Sequence, residues 1–168
     1  MPQTYFETER FIVRQWDITD VDALYSIMSN SKVHTFTGDS TWTRERTKSY
    51  IDLMLDKNFQ TLEVFHGACI LKISNQLIGF TGLNPYLPKQ PELEWQFGVD
   101  FWGKGYATEI GKSVIGNAFQ TTDIKSIFGM ANTENKASMR ALEKIGMTCI
   151  RLQEFRGHQD MFFRIDRV

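Results

Sequence analysis

The 168-residue chain has few of the features typical of secreted, membrane-spanning or metal-binding proteins. Its only cysteines, Cys69 and Cys149, both lie in apolar stretches, which favours reduced, buried thiols over a disulfide. The three histidines are far apart in sequence and show no metal-ligand spacing, so we expect no metal. No apolar run approaches the ~20 residues that cross a bilayer, and the first residues show no secretory signal. These absences predict a cytoplasmic protein with no membrane partner.

An excess of charge of either sign is also missing. Nineteen basic residues face twenty acidic ones, and the resulting net charge of −1 predicts no nucleic-acid partner. Hydrophobic residues make up 42% of the chain, enough for a substantial core. No linker, repeat or low-complexity segment interrupts the sequence. We therefore expect residues 1–168 to form one domain.

Hydrophobic periodicity predicts strands and helices in the order β-α-α-β-β-β-α-β-α-β-β. The expected helix N-caps are Thr19, Thr43 and Asn135, the helical period also begins at Ala107, and Gly146 should end the last helix. Within the helix from Ala107, two glycines suggest close packing at 111 and 116. The proline-rich segment 84–91 must be a loop. The predicted strands are 10–16, 62–74, 77–83, 93–99, 126–131, 149–155 and 161–165.

This order indicates one mixed α/β (α+β) domain. The strand–helix–strand unit from Leu93 to Ala131 should be a right-handed crossover that joins two parallel strands. The hairpins on either side of this unit add antiparallel strands.

The segment FWGKGYATEIGKS, residues 101–113, places two glycines around a lysine between a strand and a helix. Glycines before a helix N-terminus let a phosphate approach main-chain amides that have no helical partner. The segment is not a nucleotide P-loop, because a glycine follows Lys104 where that motif needs serine or threonine. Thr108 occupies the third glycine position of the dinucleotide fingerprint. From these residues alone, a phosphate site and a plain glycine turn both remain open.

The segment WGKGYA, residues 102–107, resembles the acyl-CoA-binding loop Q/R-x-x-G-x-G/A of the GNAT N-acetyltransferases, with tryptophan in the first position. Its continuation YATE resembles one branch, the ribosomal-protein N-terminal acetyltransferases. Three further segments resemble the same branch in the same order: TERFIVRQW at 8–16, LIGFTGL at 77–83 and NKASMRALEKIGM at 135–147. The resemblance implies the GNAT acyl-CoA N-acyltransferase fold. Its central sheet is mixed and mostly antiparallel, contains a splayed pair of parallel strands and is flanked by helices.

The resemblance also implies acetyl-CoA as cosubstrate and a set of residues that bind it. Main-chain amides of the loop would hold the pyrophosphate, and the preceding strand would pair with the pantetheine arm. Asn135 would bond to the pantetheine amides, although a plain helix cap would also explain that residue. The implied cofactor-binding residues are Phe97, Val99, Gly103, Lys104, Gly105, Tyr106, Ala107, Thr108, Asn135 and Ser138.

Many GNAT enzymes protonate the leaving thiolate with a tyrosine, but the corresponding position here is Leu142. Ser138 is the substitute acid that the branch suggests. Glu92 and Glu94 share one face of their strand and are the candidate bases, directly or through a water. Solvated strand carboxylates and a helix-turn serine remain alternative interpretations of these residues.

We expect an acetyl-CoA-dependent N-acetyltransferase in which an amine attacks directly within a ternary complex. A protein or peptide N-terminus is the favoured acceptor, because at pH 7 an α-amine is roughly 10–20% neutral and a lysine amine well under 0.1%. A small amine (polyamine, aminoglycoside or amino-acid-like metabolite) and a non-catalytic acyl-CoA-binding module remain open, as do monomer and homodimer. The acceptor site is expected in residues 32–42, the second helix and the 84–91 loop, with candidate lining residues Phe36, Trp42 and Tyr86.

Overall fold

The computed structural model describes residues 2–56, 65–84, 91–155 and 157–168. Short 3-10 turns occupy residues 18–20, 31–34 and 99–101. The regular elements of these ranges are β1 (Thr4–Glu7), β2 (Phe11–Arg14), α1 (Val21–Met28), α2 (Arg44–Met54), β3 (Phe65–Leu71), β4 (Gln76–Leu83), β5 (Leu93–Phe97), α3 (Tyr106–Thr121), β6 (Ser126–Asn132), α4 (Lys136–Ile145), β7 (Thr148–Phe155) and β8 (His158–Asp166).

The strands form two antiparallel sheets, ordered β1-β2-β3-β4-β5 and β6-β8-β7. The sheets meet where β5 and β6 begin: Glu92 forms a parallel bridge with Phe128, and the Phe128 N–H donates to the Pro91 carbonyl at 2.9 Å. Within the described residues this bridge is the only rung between the two sheets. The two strands therefore diverge towards their carboxyl ends, which confirms the predicted mixed fold with a splayed parallel pair.

Helices cover both faces of the five-stranded sheet. On one face, Leu24 and Met28 of α1 and Ile51 of α2 pack with Phe80 of β4. On the other face, the apolar side of α3 packs over the sheet and joins a core that extends to α4 and the second sheet, with buried members Ile110, Val114, Ile115, Leu142 and Phe163. None of the described helices is both long and apolar enough to cross a membrane.

Two of the three predicted helix caps are confirmed. The Thr43 side chain accepts the Arg46 N–H at 3.1 Å, and Asn135 Oδ1 accepts the Ser138 N–H at 3.1 Å. The prediction for Thr19 is wrong, because Thr19 lies inside the 3-10 turn and its N–H donates to Asp17 at 2.9 Å. Asp17, an extended residue two positions earlier, presents its carboxylate to that donor.

The strand before the glycine loop is shorter than predicted. β5 ends at Phe97, and Val99 lies in the 3-10 turn, where it packs against the core on the α1 side of the sheet. The chain turns because the Phe101 N–H donates to the Gly98 carbonyl at 3.0 Å. Period-two alternation continues through Val99 in the sequence, so the pattern could not reveal this turn.

Other predictions have mixed outcomes. A Cβ on Gly111 would lie 2.5 Å from Ile145 Cδ1, so close packing there is confirmed, whereas nothing lies within 4 Å of such an atom on Gly116. Cys69 is buried, but Cys149 is exposed, contrary to the prediction. Strand β1 was not predicted. Residues 85–90 of the segment predicted as a loop, including Tyr86, lie outside the described residues, as do residues 62–64 of a predicted strand.

Candidate active site

The divergence of β5 from β6 opens a cleft of about 380 Å³. Its walls come from the α1–α2 connection, β5, the glycine loop with the start of α3, and one face of α4. Of the ten predicted cofactor-binding residues, Val99 and Lys104 do not line the cleft. The other predicted residues meet there: Phe97, Gly103, Gly105, Tyr106, Ala107, Thr108, Asn135 and Ser138.

The glycine loop presents main-chain donors at the floor of the cleft. Gly103 and Gly105 have φ angles of +73° and +76°, a conformation that favours glycine. Gly105 is the N-cap of α3, and no side chain caps the helix. The first amides of the helix, at residues 106–108, therefore have no intrahelical acceptor and carry the positive end of the helix dipole. This geometry suits an anion such as a phosphate.

A contact from the other end of the chain holds the back of this loop. Glu109, in the first turn of α3, accepts the Arg10 Nε–H at 2.5 Å and the Thr8 hydroxyl at 2.6 Å. The Arg10 guanidinium also donates to the Lys104 carbonyl at 3.2 Å and lies 4.7 Å from the centre of the Tyr106 ring. Burial raises the pKa of Glu109, but the hydrogen bonds from Thr8 and Arg10 outweigh it and hold the pKa below its usual value. Sequence reasoning missed Arg10, although it lies in the TERFIVRQW segment.

The start of α4 faces the loop across the cleft. Asn135 uses Oδ1 for its cap bond to the Ser138 N–H, which leaves the two Nδ2 donors for another partner. Ser138 is half-buried and lines the cleft. Arg140 and Lys144, four residues apart on the same face of α4, also line it and were not predicted. Their charges add to the positive end of α3.

On the strand edge that faces the cleft, one of the two main-chain groups of Phe97 already has a hydrogen-bond partner. The Gly98 N–H donates to the Ile78 carbonyl in β4, so alternation directs the N–H and C=O of Phe97 to the opposite, open edge. The Trp102 indole N–H donates to the Phe97 carbonyl at 2.8 Å. The Phe97 N–H is therefore the group of this residue that is directed at the cleft.

The two candidate bases have different surroundings, and neither lines the cleft itself. Glu92 lies at the closed end, in the bridge to Phe128. Glu94 lies two residues nearer the open end, on the same strand face as Gln96, which does line the cleft. The Glu94 side chain is 31% exposed, and its Oε2 lies 3.1 Å from Nε2 of buried His66.

Of the remaining predicted positions, two lie in the core and one lines the cleft. Leu142, at the position of the usual acid, is 1% exposed and belongs to the core. Phe36 lines the cleft with Val33 and Thr37, as expected for an acceptor wall. Trp42 does not line the cleft: it is 8% exposed and lies 5.1 Å from the Tyr50 ring in the core below α2. Trp42 is thus excluded from the described cleft wall.

Comparison with known proteins identifies the family. Residues 10–148 match the family model described as acetyltransferase (GNAT) domain. The chain belongs to the GNAT family. It is 26% identical over 144 residues to the uncharacterized N-acetyltransferase YnaD of Bacillus subtilis strain 168, a match that spans 85% of this chain and 82% of YnaD. The 168-residue chain is therefore an acetyl-CoA-dependent N-acetyltransferase.

Solved structures show the same fold. A GNAT-family acetyltransferase from Bacillus anthracis matches with a TM-score of 0.82 and 22% identity over 95% of this GNAT chain and 96% of its own. A spermidine N-acetyltransferase from Vibrio cholerae, solved with CoA and spermine, matches with a TM-score of 0.79 and 14% identity over 95% and 96%. At these identities the likeness concerns the fold.

Proposed function

We propose that the enzyme transfers the acetyl group of acetyl-CoA to the α-amine of a protein or peptide N-terminus, by direct attack in a ternary complex. The observation that carries the choice of acceptor is the charge of the cleft. No Asp or Glu is among the described residues that line it, and its two charged side chains, Arg140 and Lys144, are both cationic. A polyamine or aminoglycoside carries several positive charges and needs several carboxylates close by, whereas Glu94 is a single carboxylate beside the cleft. A peptide presents a single terminal amine.

The donor half of the cleft fits the phosphates of coenzyme A. Unpaired amides at residues 106–108, glycines without side chains at 103 and 105, and two cations on α4 all favour negative charge there. In the proposal, the Phe97 N–H and the Asn135 side chain hold the pantetheine arm. Bound acetyl-CoA supplies an activated thioester carbonyl between the splayed strands.

Two side chains would move the protons of the reaction. Glu94 takes the proton of the acceptor ammonium, directly or through one water, and we favour it over Glu92 because it lies nearer the open end of the strands. Ser138 gives a proton to the departing sulfur. Freeing an α-amine of its proton costs about 3–4 kcal/mol less than freeing a lysine amine at pH 7, which suits a single, partly exposed carboxylate.

The motifs of the ribosomal-protein N-terminal acetyltransferases support this acceptor class, and we place the chain with that branch. We further propose that residues 1–168 act as one domain in the cytoplasm, as a monomer or homodimer.

An acceptor panel tests the proposal. The panel contains a peptide with a free N-terminus and an internal lysine, the same peptide with a blocked N-terminus, spermidine and an aminoglycoside. Thiol release and mass spectrometry should show acetylation of the α-amine, with kcat/KM at least tenfold above that for spermidine, and loss of turnover when the terminus is blocked. Preferred turnover of spermidine would overturn the proposed acceptor. Tight CoA binding without turnover of any amine would instead support a binding module.

A further inference from the structure

We propose that His66 and Tyr50 are positioning residues that hold Glu94 in place as the base. The inference rests on the proposed function of Glu94. Tyr50 on α2, His66 on β3 and Glu94 on β5 form a line of three polar groups that runs from the core to the edge of the five-stranded sheet. We call these three residues the Tyr–His–Glu arm.

The strand register brings the arm together across an intervening strand. Gly82 of β4 is paired with His66 on one side and with Glu94 on the other. Because Gly82 has no side chain, the imidazole and the carboxylate can meet above it. A Cβ at this position would lie 1.7 Å from the Phe65 carbonyl oxygen, so the backbone leaves no space for another residue.

The hydrogen-bond pattern indicates which atoms donate and which accept along the Tyr–His–Glu arm. The Tyr50 hydroxyl and His66 Nδ1 are 3.1 Å apart. When the hydroxyl donates to Nδ1, the ring proton lies on Nε2, which faces Glu94 Oε2 at 3.1 Å. Asn84 Nδ2 donates to the other carboxylate oxygen, Oε1. Asn84 thus holds Oε1, while His66 Nε2 lies within reach of Oε2.

One part of this geometry is incomplete. His66 Nε2 is buried and has no aligned hydrogen-bond partner, although the carboxylate lies within reach. An unsatisfied buried N–H is costly, and catalytic hydrogen bonds in empty sites are often misaligned until substrate binds. With this bond aligned, a donor on each oxygen would fix the plane of the carboxylate.

The burial of His66 indicates that it positions Glu94 and does not relay the proton of Glu94 to solvent. The Glu94 side chain is 31% exposed and can pass a proton directly to water, whereas the His66 side chain is 5% exposed. Tyr50 is surrounded by the rings of Trp16, Trp42 and Phe80, at 5.7, 5.1 and 5.5 Å between centres. Tyr50 is partly buried and packed by these rings, so the inner end of the arm supports His66.

Variants of His66 test the inference by steady-state kinetics, acetyl-CoA calorimetry and thermal unfolding. His66→Phe should lower kcat with the peptide about 10–100-fold while the Kd for acetyl-CoA changes less than about twofold. His66→Gln, whose amide can still donate to Glu94, should restore part of kcat. Wild-type kcat in folded His66→Phe, or no recovery in His66→Gln, would overturn the inference.

A buried core residue of the second sheet provides the control. Phe163 of β8 is 1% exposed and does not line the cleft. Phe163→Leu should lower Tm as much as His66→Phe but leave kcat within about twofold of wild type. An equal loss of kcat in both variants would mean that the effect of His66 is structural only.

Two further measurements separate this inference from the proposed function. A large loss of kcat in Glu94→Gln, with none in His66→Phe, overturns the arm alone, whereas wild-type kcat in Glu94→Gln overturns both. The ring tautomer of His66, read by ¹⁵N NMR, needs no turnover. We expect the proton on Nε2 in the wild type and a mixture in Tyr50→Phe. A proton on Nδ1 in the wild type would contradict the arm even if no amine were acetylated.

Discussion

Arg10 and Glu109 are 99 positions apart in the chain, yet Arg10 Nε lies 2.5 Å from Glu109 Oε2. The same arginine donates to the Lys104 carbonyl within the glycine loop. The loop is thereby held from behind while its amides face the cleft. This contact joins the TERFIVRQW segment, which contains Arg10, to the YATE segment, which contains Glu109.

Arg10→Met should weaken coenzyme A binding with a small effect on stability. The Arg10 side chain is 41% exposed, so its ion pair stabilises the fold only modestly, but its loss frees the loop. We expect the Kd for CoA by calorimetry to rise about 3–10-fold. Arg44→Met is the control, because that arginine pairs with Asp22 on an exposed surface. Equal Kd values for both variants would contradict the function assigned to Arg10.

Glu109→Gln should show a loss of stability that depends on pH. The pKa of Glu109 is lowered in the folded protein, so its ionised form stabilises the fold above the unfolded-state value, about 4.3, and this contribution is lost as the pH falls through the folded-state pKa. In urea unfolding, the free energy of unfolding should therefore differ most between wild type and variant at about pH 6–7. This lies within the range of about pH 5–8 where proteins are generally most stable. The difference should shrink as the pH falls below about 4.3 and the carboxyl becomes protonated. A difference that grows on acidification would refute the assignment.

Gly105→Val should impair CoA binding in a protein that still folds. Only Arg10 lies near a Cβ at this position, at 4.0 Å, so the cost arises from the backbone, whose φ of +76° a β-branched residue rarely adopts. The Kd should rise at least about tenfold, which corresponds to about 1.4 kcal/mol. Gly116→Ala, in the same helix with open space around it, should leave Kd unchanged and stabilise the protein by about 0.4–1 kcal/mol. Unchanged affinity in Gly105→Val would remove the loop from the binding site.

Ser138→Ala should affect turnover more than binding. The cap bond of α4 uses the Ser138 main-chain N–H, so the substitution leaves the cap intact and removes only the hydroxyl in the cleft. We expect kcat to fall about 100-fold with little change in the Kd for acetyl-CoA. Asn135→Ala is the comparison, since loss of a cap should reduce stability by about 1 kcal/mol. Wild-type turnover in Ser138→Ala would leave the departing sulfur without an assigned acid.

Features that depend on neighbouring residues were predictable from the sequence, whereas features that depend on strand register were not. The caps at Thr43 and Asn135 and the glycine loop follow from local side-chain chemistry and glycine conformation. The meeting of His66 with Glu94 requires both to pair with Gly82, and no pattern within β3 or β5 specifies that alignment. The predicted end of strand β5 at Val99 was wrong for a local reason. Hydrophobic alternation does not distinguish the last strand residue from a following tight turn.

The single rung between Glu92 and Phe128 has a mechanical consequence. Past this rung, the part of the chain that the structure describes shows no further pairing between the facing edges of β5 and β6, although the core around α3 and α4 still joins the two sheets. A molecule whose amides pair with both edges would act as an interposed strand and close the gap. The cosubstrate would then be a structural crosspiece as well as a reagent, and the enzyme would be stiffest when loaded and ready to react.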